Sequence, residues 1–138
     1  MGLLLEEDYE YLKECGIEWE QDEAKRFFIF KRFKLQKGIY CKDSSPLDEA
    51  DILVIIPPNY NTSGGDMFWT YPLLSRCDGN PIPQTSPPTT HSKQHDGRIY
   101  CRWSRHWNKP NAWEPKVDSV IKILGRIEWA LKNPNADR

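Results

Sequence analysis

The run Ile52-Leu53-Val54-Ile55-Ile56 ends at Pro57-Pro58, and no other feature of the chain constrains its fold as tightly. An unbroken β-branched and aliphatic run predicts a strand. Proline has no N–H to give a ladder, so the pair predicts where that strand stops. Ile17-Glu18-Trp19-Glu20 and Phe27-Phe28-Ile29-Phe30, the latter continuing to Phe33 and Leu35, read as a hairpin across the polar residues 21–26, and the continuous apolar stretch suggests burial on both faces. Beyond the turn chemistry of residues 59–66, Met67-Phe68-Trp69-Thr70-Tyr71 reads as a fourth strand, closed by Pro72.

The rest of the chain supplies helices and one long connection. Residues 6–13 read as a short acidic helix ended near Gly16. Residues 77–97 carry Pro81, Pro83, Pro87 and Pro88 among Ser, Thr and Gly, and read as an irregular active-site or interface loop. Residues 99–104 are a short extended segment. Pro115 is expected to open a helix whose Val117, Val120, Ile121, Leu124, Ile127 and Leu131 recur every three or four residues, with Asn133-Pro134-Asn135 as its stop. The fold class is therefore α+β: a four-stranded antiparallel meander, a long active-site loop and a C-terminal covering helix. At 138 residues it is expected to form one domain over 1–138.

Charge and cysteines narrow the function. Lys plus Arg number 19 against 20 acidic residues, which leaves no field of one sign for nucleic acid. The apolar runs are too short to span a bilayer, no signal peptide precedes Glu6, and Glu6 itself spoils the Met1-Gly2 myristoylation pattern. No membrane partner and a cytoplasmic location are expected. Cys15, Cys41, Cys77 and Cys101 match neither zinc-ribbon nor secreted-scaffold spacing, so free thiols in a reducing compartment are expected. Six Trp and six Tyr are enough to furnish both a core and an interface.

Several small motifs then fall in a telling order. Pro57-Pro58-Asn59-Tyr60-Asn61 resembles the Pro-x-x-Tyr-Pro turn of ubiquitin-conjugating enzymes, with Asn61 in place of the second proline. Trp113-Glu114-Pro115 is similar to the Trp-x-Pro that starts their helix after the active site, and Asn133-Pro134-Asn135 to a Pro-Asn pair further on. Pro57-Pro58-x-Tyr60, Asp66-Met67-Phe68-Trp69, Gly97-Arg98, Arg102-Trp103-Ser104-Arg105-His106 and Val117-Asp118-Ser119 together resemble the prokaryotic family E of that superfamily, over nearly the whole chain. The resemblance implies a bacterial conjugation pathway. Its partners would be a ubiquitin-like protein and an adenylating activating enzyme, and the activating enzyme consumes the ATP, so no cofactor is expected here.

Such chemistry needs a nucleophile to carry a C-terminal glycine as an ester and pass it to an amine or water. His91 lies ten residues before Cys101, the spacing of His-Pro-Asn to cysteine in eukaryotic members, yet Ser92 and Lys93 replace Pro and Asn. Counted from Gly97, the usual Gly-x-x-Cys would fall on Tyr100, one residue early, and one residue reverses a strand side chain. Strand parity instead puts Arg102, Ser104 and His106 on one face as oxyanion partner, nucleophile and base. Resemblance to a family whose shared motif is Arg-Trp-Ser-Arg-His favours an oxyester at Ser104 over a thioester at Cys101. Taken singly, Ser104 reads as a surface hydroxyl and Cys101 as a small buried residue. The resemblance also makes His91, Pro58, Tyr60 and Trp103 candidate binding residues, although Trp69 and Trp103 as large rings read first as sheet core. Two other classes stay open. One is a catalytically inactive scaffold that binds a ubiquitin-like protein or the activating enzyme. The other is a zinc site from His91, His95, Cys101 and His106.

Overall fold

The computed structural model describes residues 2–107 and 112–136. Its elements in chain order are α1 (Glu6–Glu14), β1 (Trp19–Asp22), β2 (Phe27–Lys34), β3 (Tyr40–Lys42), β4 (Ser45–Pro46), β5 (Glu49–Ile55), β6 (Phe68–Tyr71), β7 (Ser75–Arg76), β8 (Lys93–His95), β9 (Arg98–Trp103) and α2 (Val120–Lys132). The four strands read from the sequence are consecutive neighbours, but they form one side of a six-stranded antiparallel sheet ordered β1-β2-β5-β6-β9-β8. The free edge of β6 is taken up by β9, with Phe68 opposite Trp103, Trp69 opposite Arg102 and Thr70 opposite Cys101. An Asp96-Gly97 turn, both residues at positive φ, then folds β8 onto the other side of β9. Asp-Gly is a strong hairpin signature, so residues 77–97 are more ordered than their proline content suggests. A second, three-stranded sheet is ordered β4-β3-β7, and its Tyr40 enters the main core.

Alternation along β2 explains why its sequence lacks a polar face. Phe28 and Phe30 enter the main core, with Leu12 from α1, Ile52, Phe68, Trp103 and the α2 residues Val120, Ile123, Ile127 and Leu131. Phe27 and Ile29 turn the other way, into a smaller cluster with Leu53, Trp69 and Tyr100. Among the described residues no helix packs on that second face. The sheet covers it by curling: Glu20 on edge strand β1 and His95 on the opposite edge strand β8 meet at 3.0 Å.

Three sequence expectations are corrected. The second helix begins after Ser119, whose extended backbone and hydroxyl cap the Ile121 N–H at 3.3 Å, and not at Pro115. Lys116 sits in the left-handed region (φ 62°) and donates its N–H to the Asn61 carbonyl at 3.0 Å, which breaks any helix through it. Val117 is accordingly exposed, and Ile123 is buried where Ile121 faces solvent. Cys41 and Cys77 are not free thiols; they form a disulfide with a Cα–Cα distance of 5.0 Å. The small sheet brings them together: Cys41 pairs with Ser75, and Cys77, two residues on, donates its N–H to Ile39 at 2.8 Å.

One buried carboxylate joins the two helices to the turn after β5. Asp8 is 2% exposed. It accepts the Leu5 N–H at 3.1 Å, the Tyr60 hydroxyl at 2.7 Å and the Val120 N–H at 3.2 Å. A buried charge with three donors satisfies the rule that buried polar groups must be paired. Burial, and next the hydrogen bond to Asp8, push the Tyr60 phenol above its ordinary range.

Candidate active site

The site grows out of the end of β9. Past β8, residues 84–86 continue the ladder on the same edge: Ser86 donates its N–H to Arg102 at 3.0 Å, Ser104 donates to Gln84 at 2.8 Å, and Thr85 bridges Trp103. Extended alternation therefore runs beyond the strand end. Cys101, Trp103 and Arg105 point inward and are at most 2% exposed. Trp103 stacks on Phe68 at 5.4 Å, and the Arg105 guanidinium lies 4.9 Å from the Trp103 ring centre while donating to the Pro83 carbonyl at 3.1 Å. Arg102, Ser104 and His106 take the opposite parity.

On that side Ser104 Oγ lies 3.1 Å from His106 Nε2, and His106 Nδ1 lies 2.7 Å from Asp66 Oδ2. A carboxylate accepts only, so Nδ1 is the donor to Asp66, and in the neutral ring Nε2 then accepts from the serine hydroxyl. A hydroxyl, an imidazole and a carboxylate thus stand in one continuous hydrogen-bonded relay. The His106 and Asp66 side chains are 51% and 46% exposed, so the relay is open to water.

The loop carrying Asp66 is shaped by glycines. A Cβ on Gly64 would come within 2.6 Å of three atoms of the Trp113 ring, and Gly65 has a φ of +69° with the Ile55 carbonyl in the way of any side chain. Trp113 donates to the Asn61 carbonyl at 3.0 Å, Trp107 donates to the Gly65 carbonyl, and the two indoles lie 5.4 Å apart. From α2, Arg126 donates to the His106 carbonyl at 2.6 Å. The histidine is therefore held through its backbone by α2 and through its ring by the loop before β6.

Other residues singled out from sequence are placed elsewhere. Cys101 is buried in the sheet, and burial pushes its thiol up, away from the nucleophilic thiolate. Trp103, a candidate binding residue, is 1% exposed and packs in the core, as its inward parity requires. Tyr60 is half-buried with its hydroxyl committed to Asp8, while Pro58 stays exposed. His91 lies in an exposed turn and contributes its backbone carbonyl, which accepts from the Trp69 indole at 2.8 Å. The Arg102 Nε is buried without a hydrogen-bond partner, and no hydrogen bond joins it to Ser104 among the described residues. His95 is held by Glu20 and His106 by Asp66, and no group of three potential ligands capable of holding a metal occurs among the described residues.

Asp66 is the residue that motif reading quoted without assigning a role. Continuing the β6 to β9 register two residues past Phe68 puts it opposite Arg105, next to His106. The signal was the strand pairing, which a single segment does not show.

A curled antiparallel sheet backed by a C-terminal helix, with a polar relay at the exit of its last long strand, is a mixed α and β architecture compatible with the ubiquitin-conjugating-like class. The chain belongs to prokaryotic E2 family E, whose family model matches residues 4–134. No curated protein and no solved structure matches it. Membership gives it a conjugating-enzyme-like character and implies, in general terms, a ubiquitin-like protein and an activating enzyme as partners. Among the described residues no helix is long and apolar enough to cross a membrane.

Proposed function

We propose that the protein accepts the C-terminal glycine of a ubiquitin-like protein from an adenylating activating enzyme as an oxyester on Ser104, and passes it to an amine of a target. The observation that carries this reading is the relay of Ser104, His106 and Asp66. A serine hydroxyl is a poor nucleophile until a base removes its proton. His106 takes that proton through Nε2 as Oγ attacks the activated carbonyl, and Asp66 holds the ring in the required tautomer and stabilises the imidazolium. The tetrahedral intermediate collapses by breaking the carbonyl's bond to the activating enzyme's leaving group, and the imidazolium gives its proton up to that group, which leaves His106 neutral again. Arg102, on the same side of the ladder, is the donor assigned to the oxyanion. The burial of Cys101 argues against a thioester there. Exposed Pro58 and the turn at residues 57–60 serve as the docking surface for the activating enzyme.

The test supplies the purified chain with its ubiquitin-like protein, activating enzyme and ATP, and maps the adduct by mass spectrometry. An adduct on Ser104 that resists thiol reductant and yields to hydroxide is expected. Asp66→Asn should slow its formation by about 10²-fold, the lower end of what a positioned base contributes. A reductant-labile adduct on Cys101 would overturn the assignment. An active pathway with no adduct on this chain would leave it the role of a binding scaffold.

A further inference from the structure

We infer that the same site is also an ester hydrolase, which discharges acyl groups from Ser104 to water and accepts small activated esters as substrates; this rests on the reading of Ser104 as acyl acceptor. Once Ser104 is acylated its hydroxyl proton is gone, and His106 Nε2, 3.1 Å from Oγ, loses its donor. The His106 and Asp66 side chains are about half exposed, so the relay is open to water. Asp66 remains on Nδ1 at 2.7 Å, so the ring is poised to take a second proton as it took the first. The backbone beneath both side chains is fixed as well: Arg126 holds the His106 carbonyl, and the Ser104 N–H is bound to Gln84.

The step balances without any added reagent. Water oxygen bonds to the ester carbonyl carbon while His106 Nε2 takes one of its protons. The tetrahedral intermediate collapses by breaking the carbon to Oγ bond, and the imidazolium returns that proton to Oγ. Free carboxylic acid and the original serine result, so the charged protein has a finite lifetime and target conjugation competes with discharge.

The experiment uses the full chain with p-nitrophenyl acetate as the probe, in a Cys15→Ser background that removes the exposed thiol. Nitrophenolate is followed by absorbance and the protein by intact mass. The expected result is many turnovers per chain, with the rate falling about 10²-fold in Ser104→Ala and in His106→Ala. Asp66→Asn should lower kcat with little change in KM and shift the pH profile, which a merely structural role would not do. Melting curves of the three variants confirm that they fold. Ser104→Ala within twofold of the parent would overturn the inference. So would a single-equivalent burst that leaves a lasting acetyl group on Ser104, an outcome that spares the carrier reading. Ser104-dependent turnover in a chain that takes no adduct from the activating enzyme would do the reverse, supporting hydrolysis and removing the carrier role.

Discussion

Gly64→Ala is the substitution whose effect follows most directly from the geometry. The new methyl would lie within 2.6 Å of three Trp113 ring atoms, against an ordinary carbon–carbon separation of about 3.5–4.0 Å. The indole must therefore retreat by roughly 1 Å, and it is a rigid plane tethered by its N–H to the Asn61 carbonyl. Overpacking of this kind costs about 1–3 kcal/mol, and the weakened hydrogen bond adds about 1 kcal/mol. A chain of this length has an unfolding entropy near 0.3 kcal/mol/K, so a loss of roughly 2–4 kcal/mol lowers Tm by about 7–14 °C. Thermal unfolding followed by circular dichroism reads that directly. Gly125→Ala is the internal control: on α2 its Cβ meets nothing within 4 Å, and helix propensity alone should stabilise by about 0.5–1 kcal/mol. Gly64 stands two residues before Asp66, so Gly64→Ala should also slow Ser104 acylation in the surviving folded fraction. A Gly64→Ala protein melting with the parent, or below it by no more than the control differs, would refute the packing argument.

Three further outcomes are expected. Reducing the Cys41–Cys77 bond, which closes a 36-residue separation, should destabilise the chain by up to about 4 kcal/mol in the chain-entropy model; equal denaturant midpoints with and without reductant would contradict this. A thiol-reactive dye without reductant should label exposed Cys15 at once and buried Cys101 only on unfolding; rapid labelling of two thiols would mean the sheet is looser than described. Burial pushes the phenols of Tyr40, Tyr60 and Tyr100 up, that of Tyr100 to about 12. The unfolded chain therefore releases these protons first, so their contribution is intact below pH about 10 and lost as the pH climbs to about 12 and beyond. Denaturant midpoints should fall across that window, less steeply in Tyr100→Phe, and a midpoint that rises there would reverse the sign.

Short-range pattern carried much of the fold. The run ending at Pro57-Pro58 is β5 with both faces buried, the aromatic segment from Phe27 is β2 with rings on alternate faces, and Asn133 ends α2 as its stop signal suggested. These are properties of a few consecutive residues, since propensity, alternation and a missing N–H act locally. The motif Arg102-Trp103-Ser104-Arg105-His106 was legible for the same reason, because strand parity alone separates 102, 104 and 106 from 101, 103 and 105. Helix onset was less so: Pro115 is a usual helix starter, and the choice of Ser119 depended on the Asn61 carbonyl, more than fifty residues away in the chain, capturing Lys116.

What tertiary structure alone decided lies between distant segments. Asp66 reaches His106 only because β6 pairs with β9 in one register, and Cys41 meets Cys77 only because β3 pairs with β7. The turn containing Tyr60 is tied to both helices by a carboxylate at Asp8, and the concave face of the sheet is covered by its own curl, with β1 meeting β8. Contacts of this kind depend on which strands become neighbours. That choice is made by the summed burial of the core and by loop closures across tens of residues, quantities that no local window of sequence contains.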